Sequence, residues 1–330
     1  MNMVADTVIA GNINELSDRM AMGFNDGYRK LRFQNIEFTI EQLRKMEIHE
    51  LLLVVENPST PIAHRYAAGQ LLAILGDPRI DNLNPQMLTI KSGVAKVGLP
   101  FERIDNIVAQ YKNLGVLKEW IEKECPHFET PLPEFKLAKY PLTNQEYQRF
   151  LLDRPDAEIP SSWAFGRYPL HLSNHPVYTI SEESAEEYCQ WISKRTGRKF
   201  RLPTEVEWEY AASGPDGTEF PWGDYYEEDR ANTAEFGLFA STPVGIFIEG
   251  ASHFNVLDMA GNVEEYTSDD YWTYPGGREV MDDLMEKRGS YKVARGGSFT
   301  RFRDLARCAR RHGRYHKEIY VMGFRLAESI

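Results

Sequence analysis

The sequence predicts an α+β fold with few regular elements, preceded by a small helical segment. Three observations carry this. Residues 200–212, FRLPTEVEWEYAA, join a strand-like start to a helix that opens with its own cap. Upstream, residues 39–76 read as helices punctuated by Pro and Gly. Downstream, Gly, Pro, Asn and aromatic residues dominate, helical period fades, and only short strands stand out.

Within FRLPTEVEWEYAA, Thr204 is placed to cap a helix and Glu207, three residues on, closes a capping box, with Glu205 adding acid to the first turn. Trp208, Ala211 and Ala212 share one face. Residues 1 to about 30 carry no periodic pattern and are expected to be a frayed lead-in. From Thr39, TIEQLRKMEIHELLLVVE sets Ile40, Leu43, Leu51 and Val54 near helical period until Asn57-Pro58 ends it. PIAHRYAAGQLLAILG follows, with Pro61 in its first turn and Gly76 at its end, so an antiparallel helix pair is expected.

Residues 86–99 read as two short strands about a Gly turn, and residues 104–125 as helix broken near Gly115. Residues 132–140 return to strand before Thr143 caps a new helix, boxed by Glu146. VYTI reads as a short strand, and SEESAEEYCQWISKRTG as a helix capped by Ser181 or Ser184 and ended by Gly197. VARGGSF and MGFRLA complete the strands. The division falls into a helical segment, 1–85, and a loop-rich domain, 86–330.

With 42% hydrophobic and 12% aromatic residues the chain can bury a sizeable core. A net charge of −11 argues against general binding to nucleic acid or anionic membrane. No apolar run approaches the roughly 20 residues that span a bilayer. The first residues lack a basic start followed by an apolar core, so no signal peptide is expected. Cys125, Cys189 and Cys308 stand far apart without CxxC spacing, which suits reduced thiols and a cytoplasmic setting.

NHPVYTISEESAEEYCQW, TGRKFRLPTEVEWEYAASG, FPWGD, STPVG, NVLDMAGNVEEYTSDDYW, VARGGSF and GFRLA occur in this order. Together they resemble the formylglycine-generating-enzyme-like domain, also called the sulfatase-modifying-factor family, over residues 86–330. The resemblance implies a C-type-lectin-like α+β fold. The generating enzymes of that family oxidise a substrate cysteine on copper held by two cysteines that follow the GGS(W/F/Y) motif. Here Arg301 stands where the first would fall and the second has no counterpart, so no copper is expected. Members that build sulfoxides on iron take three histidines from a helical domain, whereas this helical segment offers His49 and His64 without such a triad. A third branch uses the scaffold for binding, including variable proteins diversified by retroelements.

The resemblance also implies a structural Ca²⁺ in the LDMAGNVEE loop, held by the Asp258 and Glu265 side chains and the Gly261 and Val263 carbonyls. Residues 300–321 hold the chain's one strong positive concentration. Arg301, Arg303, Arg311, His312, Arg314 and His316 are interleaved there with Phe302, Tyr315 and Tyr320. With Trp163 from the SSWAFGRY loop they are expected to form a surface that binds an acidic peptide or protein. Arg307 and Arg310 are expected to pair with framework acids such as Glu209 or Glu265, and could also acidify the Cys308 thiol between them. The reading from sequence is therefore a non-catalytic recognition module. The alternative is a metal-dependent oxidase or oxygenase of that superfamily acting on a thiol.

Overall fold

The computed structural model describes residues 7–24, 27–33 and 35–330. Its helices are α1 (Asp18–Ala21), α2 (Ile36–Leu43), α3 (Ile48–Glu56), α4 (Ile62–Leu75), α5 (Ile104–Gln110), α6 (Lys118–Glu122), α7 (Asn144–Asp153), α8 (Glu182–Thr196), α9 (Glu205–Ser213) and α10 (Asp283–Arg288). The strands are β1 (Met87–Ile90), β2 (Gly93–Val97), β3 (Phe128–Leu132), β4 (Phe135–Ala138), β5 (Phe200–Arg201), β6 (Glu264–Asp270), β7 (Lys292–Arg295), β8 (Met322–Gly323) and β9 (Ala327–Glu328). The mixture of helices with short strands is the expected α+β class.

The single helix expected from Thr39 is two. Glu50 accepts the backbone N–H of Glu47 at 2.8 Å, which starts a new helix at Ile48. Helices α2 to α4 bury Leu43, Leu51, Val55, Ala67, Ala68 and Leu72 against Phe236, Leu238, Ile246 and Phe247 of the following domain. At Gly69 a Cβ would meet the Pro243 ring at 2.7 Å, so the close approach of α4 requires glycine. The helical segment is thus docked on the loop-rich domain.

Residues 7–24 are not a frayed lead-in. Ile9, Ile13 and Ala21 enter the main core, and the Ile9 N–H donates to the Asn113 carbonyl at 2.8 Å. Two or three apolar anchors can fix a strand-less segment that has no period to read.

The largest sheet runs β1-β4-β9-β5 and is antiparallel throughout. Strands β1 and β2, expected about one turn, belong to different sheets: β2 pairs with β3. The third sheet, β7-β6-β8, pairs β6 antiparallel with β7 and parallel with β8. VYTI forms no strand; Thr179 takes φ 60°, and its hydroxyl accepts the Ser162 N–H at 2.8 Å, holding the SSWAFGRY loop. The capping boxes of α7 and α9 form as expected, with the Thr143 and Thr204 N–H groups each donating to the third-residue glutamate at 2.8 Å. Helix α9 is buried along most of its length, three acids included, and that burial dictates what happens in residues 295–321.

Candidate functional site

Glu205 and Glu209 lie one turn apart on α9, beside the fully buried Trp208. Carboxylates in such a place need cations. Arg295, at the end of β7, donates to Glu205 at 2.7 Å and Glu209 at 2.8 Å. Arg311 forks onto both Glu205 oxygens at 2.7 and 2.8 Å. Burial works against ionisation of Glu205, but Arg311 and Arg295 hold its carboxyl below the usual range. Burial wins at Glu209, whose carboxyl is pushed up despite Arg295.

The rest of the basic stretch is used the same way. Arg307 forks onto Glu124 at 3.0 and 2.5 Å and also donates to Glu219. Arg310 lies 3.7 Å from Glu124 and donates to the Trp120 and Arg311 carbonyls at 3.3 and 2.6 Å. Arg303, half-buried, reaches Glu235 at 3.1 Å. Internal pairing of Arg307 and Arg310 was legible, but Glu209 and Glu265 are not their partners.

The expected solvent-facing basic surface is therefore corrected. Arg301, Phe302, Arg311, His312, Tyr315 and Tyr320 are buried, and so is Trp163, whose indole donates to Asn144 at 2.7 Å. The physical reason is that a guanidinium facing internal acids can be buried: Arg311 forks onto Glu205, and Arg301 lies 3.8 Å from Glu264. Burial also pushes the Cys308 thiol far above its ordinary value, Arg307 notwithstanding, so the thiol is not acidified. Cys125 is likewise pushed up, to about 12, first by burial and then by Glu124.

What reaches solvent, besides half-buried Arg303, is the short turn carrying Arg314, His316, Lys317 and Glu318. With Ser161 and Thr179 it lines a cleft of about 670 Å³. Arg314 donates to the Ile180 carbonyl at 3.3 Å. The N-terminal segment forms the other wall: Lys317 donates to the Ile13 carbonyl at 2.9 Å, and the Tyr320 hydroxyl to Asn14 at 2.5 Å. Beneath Tyr320 the Arg301 guanidinium stacks on its ring, 4.8 Å from the centroid. Glu264, wholly buried, lies 3.8 Å from Arg301, and burial pushes its carboxyl up to about 7. Burial and then Arg301, Arg310 and Lys123 hold His312 neutral.

The calcium ligands implied by resemblance do not fit a cation here. Arg325 donates to both Glu265 oxygens at 2.6 Å, and the Trp208 indole takes one of them at 2.8 Å. Arg325 also donates to the Asp258 and Leu257 carbonyls, at 3.2 and 3.0 Å. The Asp258 side chain accepts the Gly245 N–H at 2.6 Å, and burial pushes its carboxyl up to about 6. A guanidinium already supplies the positive charge, so a second cation would meet repulsion and an occupied carboxylate. Among the described residues, no three His, Cys, Asp or Glu side chains are grouped to hold a metal. Chelation is expected to leave the melting temperature unchanged, whereas a cation at 100 times its Kd would contribute about 2.7 kcal/mol. Calorimetry with and without EGTA checks this.

The comparisons with known proteins agree with this architecture. The family described as the sulfatase-modifying factor enzyme 1-like domain matches residues 75–330. The serine/threonine-protein kinase Pkn1 of Chlamydia trachomatis is 31% identical over 229 residues, 63% of this chain and 35% of that protein. The formylglycine-generating enzyme of Mus musculus is 32% identical over 177 residues, 46% of this chain and 45% of that one. The chain thus spans less than half the length of these curated relatives. Among solved structures, PvdO from Pseudomonas aeruginosa superposes with a TM-score of 0.56 at 21% identity, over 76% of this chain and 97% of PvdO. Treponema denticola variable protein 1 does so with a TM-score of 0.53 at 18% identity, over 73% and 94%. Both likenesses concern the fold.

Proposed function

The chain belongs to the sulfatase-modifying factor enzyme 1-like family, and from that premise we propose that it is a recognition module that binds an acidic peptide or protein at the cleft beside Arg314, His316 and Lys317. The observation that carries this reading is the position of those side chains. With half-buried Arg303 they are the part of the basic stretch that reaches solvent, and together with Asp18, 3.6 Å from Lys317, and Glu318 they line a concavity large enough for two or three side chains of a ligand. The copper reading lacks its ligands: Arg301 occupies one position, and Cys308, the stretch's single cysteine, is buried 2% exposed with its thiol held protonated. A reducing, cytoplasmic setting belongs to the same reading, supported by three buried, unpaired cysteines.

A fluorescein-labelled glutamate-rich peptide, titrated with the full chain and followed by anisotropy, tests the reading. Binding should weaken with added salt, because partly exposed pairs are screened. Arg314→Ala with His316→Ala should weaken it roughly 2- to 5-fold, the loss of one partly exposed charge at about 0.5–1 kcal/mol. Equal binding of a glutamine-rich peptide would sink the proposal. So would copper- or iron-dependent oxygen uptake by the chain with a thiol substrate.

A further inference from the structure

The cleft beside Arg314 carries an acid of its own. Asp18 lines it with Leu16 and Ser17, and Asp18 Oδ1 lies 3.6 Å from the Lys317 ammonium. That distance leaves attraction without a hydrogen bond, and Oδ1 is buried with no hydrogen-bond partner elsewhere. Glu318 lines the cleft too, but it stands exposed. Lys317 is otherwise committed to the segment that carries Asp18: it donates to the Ile13 carbonyl at 2.9 Å and to the Leu16 carbonyl. An ammonium has three donors, so one is left for an acid. The backbone of this segment is fixed. Ile9, Ile13 and Ala21 sit in the main core, and Asn12 and Asn14 donate to Asp283 at 3.1 and 2.6 Å. The Asp18 side chain is not fixed in this way. It is 37% exposed, and turning it to solvent gives up one long, partly exposed ion pair, which is worth little.

We propose that Asp18 is a built-in competitor for the cleft: in the free chain it neutralises Lys317, and an acidic side chain of the ligand must displace it to reach that ammonium. The inference deepens the acidic-ligand reading above and rests on it. It divides the basic residues of the cleft into two kinds. Arg314 is bonded to the Ile180 carbonyl, which is uncharged, and His316 is exposed, so an incoming carboxylate meets them without displacing an acid. At Lys317 one carboxylate only replaces another. A tethered acid acts at an effective concentration of about millimolar or more, so dilute single carboxylates lose that exchange. Asp18 therefore makes the cleft select ligands that bring several acids at once. Such a ligand engages Arg314 first, and its next acid then competes for Lys317 on equal, intramolecular terms.

The test titrates the fluorescein-labelled glutamate-rich peptide with the full chain and with its Asp18→Asn variant, which keeps the shape of the side chain and removes its charge. Asp18→Asn should tighten binding about 2- to 5-fold at low salt, the range for one partly exposed ion pair, and the gain should shrink with added salt. Glu15→Gln is the control, because Glu15 is exposed on the same segment and lies outside the cleft lining. It changes the net charge equally and should leave binding nearly unchanged. A glutamine-rich peptide should gain nothing from Asp18→Asn. Equal tightening by Glu15→Gln, or an equal gain for the glutamine-rich peptide, overturns the competitor. The two readings fail separately. Glutamate-peptide binding that Asp18→Asn leaves unchanged removes the competitor and keeps the acidic-ligand reading. Equal binding of the glutamine-rich and glutamate-rich peptides by both proteins removes the acidic-ligand reading, and the competitor with it.

Discussion

Replacing Arg295 with methionine is expected to lower unfolding stability by about 3–5 kcal/mol, the cost of leaving a buried charge without its partner. Arg295 is wholly buried and donates to Glu205, Glu209, the Tyr274 hydroxyl at 2.8 Å and the Cys308 carbonyl at 2.5 Å. Glu205 would keep Arg311. Glu209 would keep only the Gly98 N–H, at 2.8 Å, in a place where burial already opposes its charge. Urea unfolding should show a lower midpoint with an unchanged slope. The double variant Arg295→Met, Glu209→Met separates stranded charge from lost packing. It should recover most of the stability, because replacing both members of a buried pair with apolar groups is often neutral. A double variant as unstable as the single one would mean that packing around Arg295, and not the stranded carboxylate, sets the cost.

That network also marks the limit of what the sequence reveals. Local signals were readable because they are local: Thr143 with Glu146, Thr204 with Glu207 and Gly197 at the end of α8 all act within four residues of themselves. The ordered motifs from NHPVYTI to GFRLA likewise identified the family from text alone. The sense of the basic stretch was not readable. Whether an arginine faces water or carboxylate depends on Glu124, Glu205, Glu219 and Glu235, which lie 68–183 residues away along the chain. One clue was present. Glu205 and Glu209 stand at i and i+4 around Trp208 in a helix otherwise made for a core, and acids on a buried face demand interior cations. The same burial bears on diversification. A segment whose arginines close the core cannot vary freely, so tolerance to substitution should be greatest at Arg314 and at 316–318, where side chains reach solvent.

The second large effect is a fall in stability on the alkaline side of neutrality. Burial pushes Glu264 and Glu146 up to about 7 and Asp258 up to about 6. In the unfolded chain these groups have pKa values of about 4. A raised carboxyl contributes stability that is complete below its unfolded pKa and lost as pH rises through its folded one. Buried histidines act in the other direction. His175 is held down to about 3 and His312 well below its ordinary value, both chiefly by burial. Their contribution is complete above an unfolded pKa of about 6.5 and is lost as pH falls below it. Below about pH 6 the two sets oppose each other, and stability should change little until the ion-paired carboxylates, Asp77, Glu205 and Glu219 among them, begin to protonate. Between about pH 6.5 and 8 the raised carboxyls lose their protons in the folded chain while the two histidines finish losing theirs in the unfolded chain, and stability should fall by on the order of 1 kcal/mol. Glu264 has the clearest cause, since its Oε2 has no hydrogen-bond partner and Arg301 stands beyond bonding distance. Glu264→Gln keeps the shape and cannot ionise, so its urea midpoints across this window should fall less than those of the parent chain. A parent chain whose midpoint is level or rises from pH 6.5 to 8 would show that these carboxyls are already ionised when folded. The groups around Glu264 would then be balanced as charges rather than kept neutral by burial.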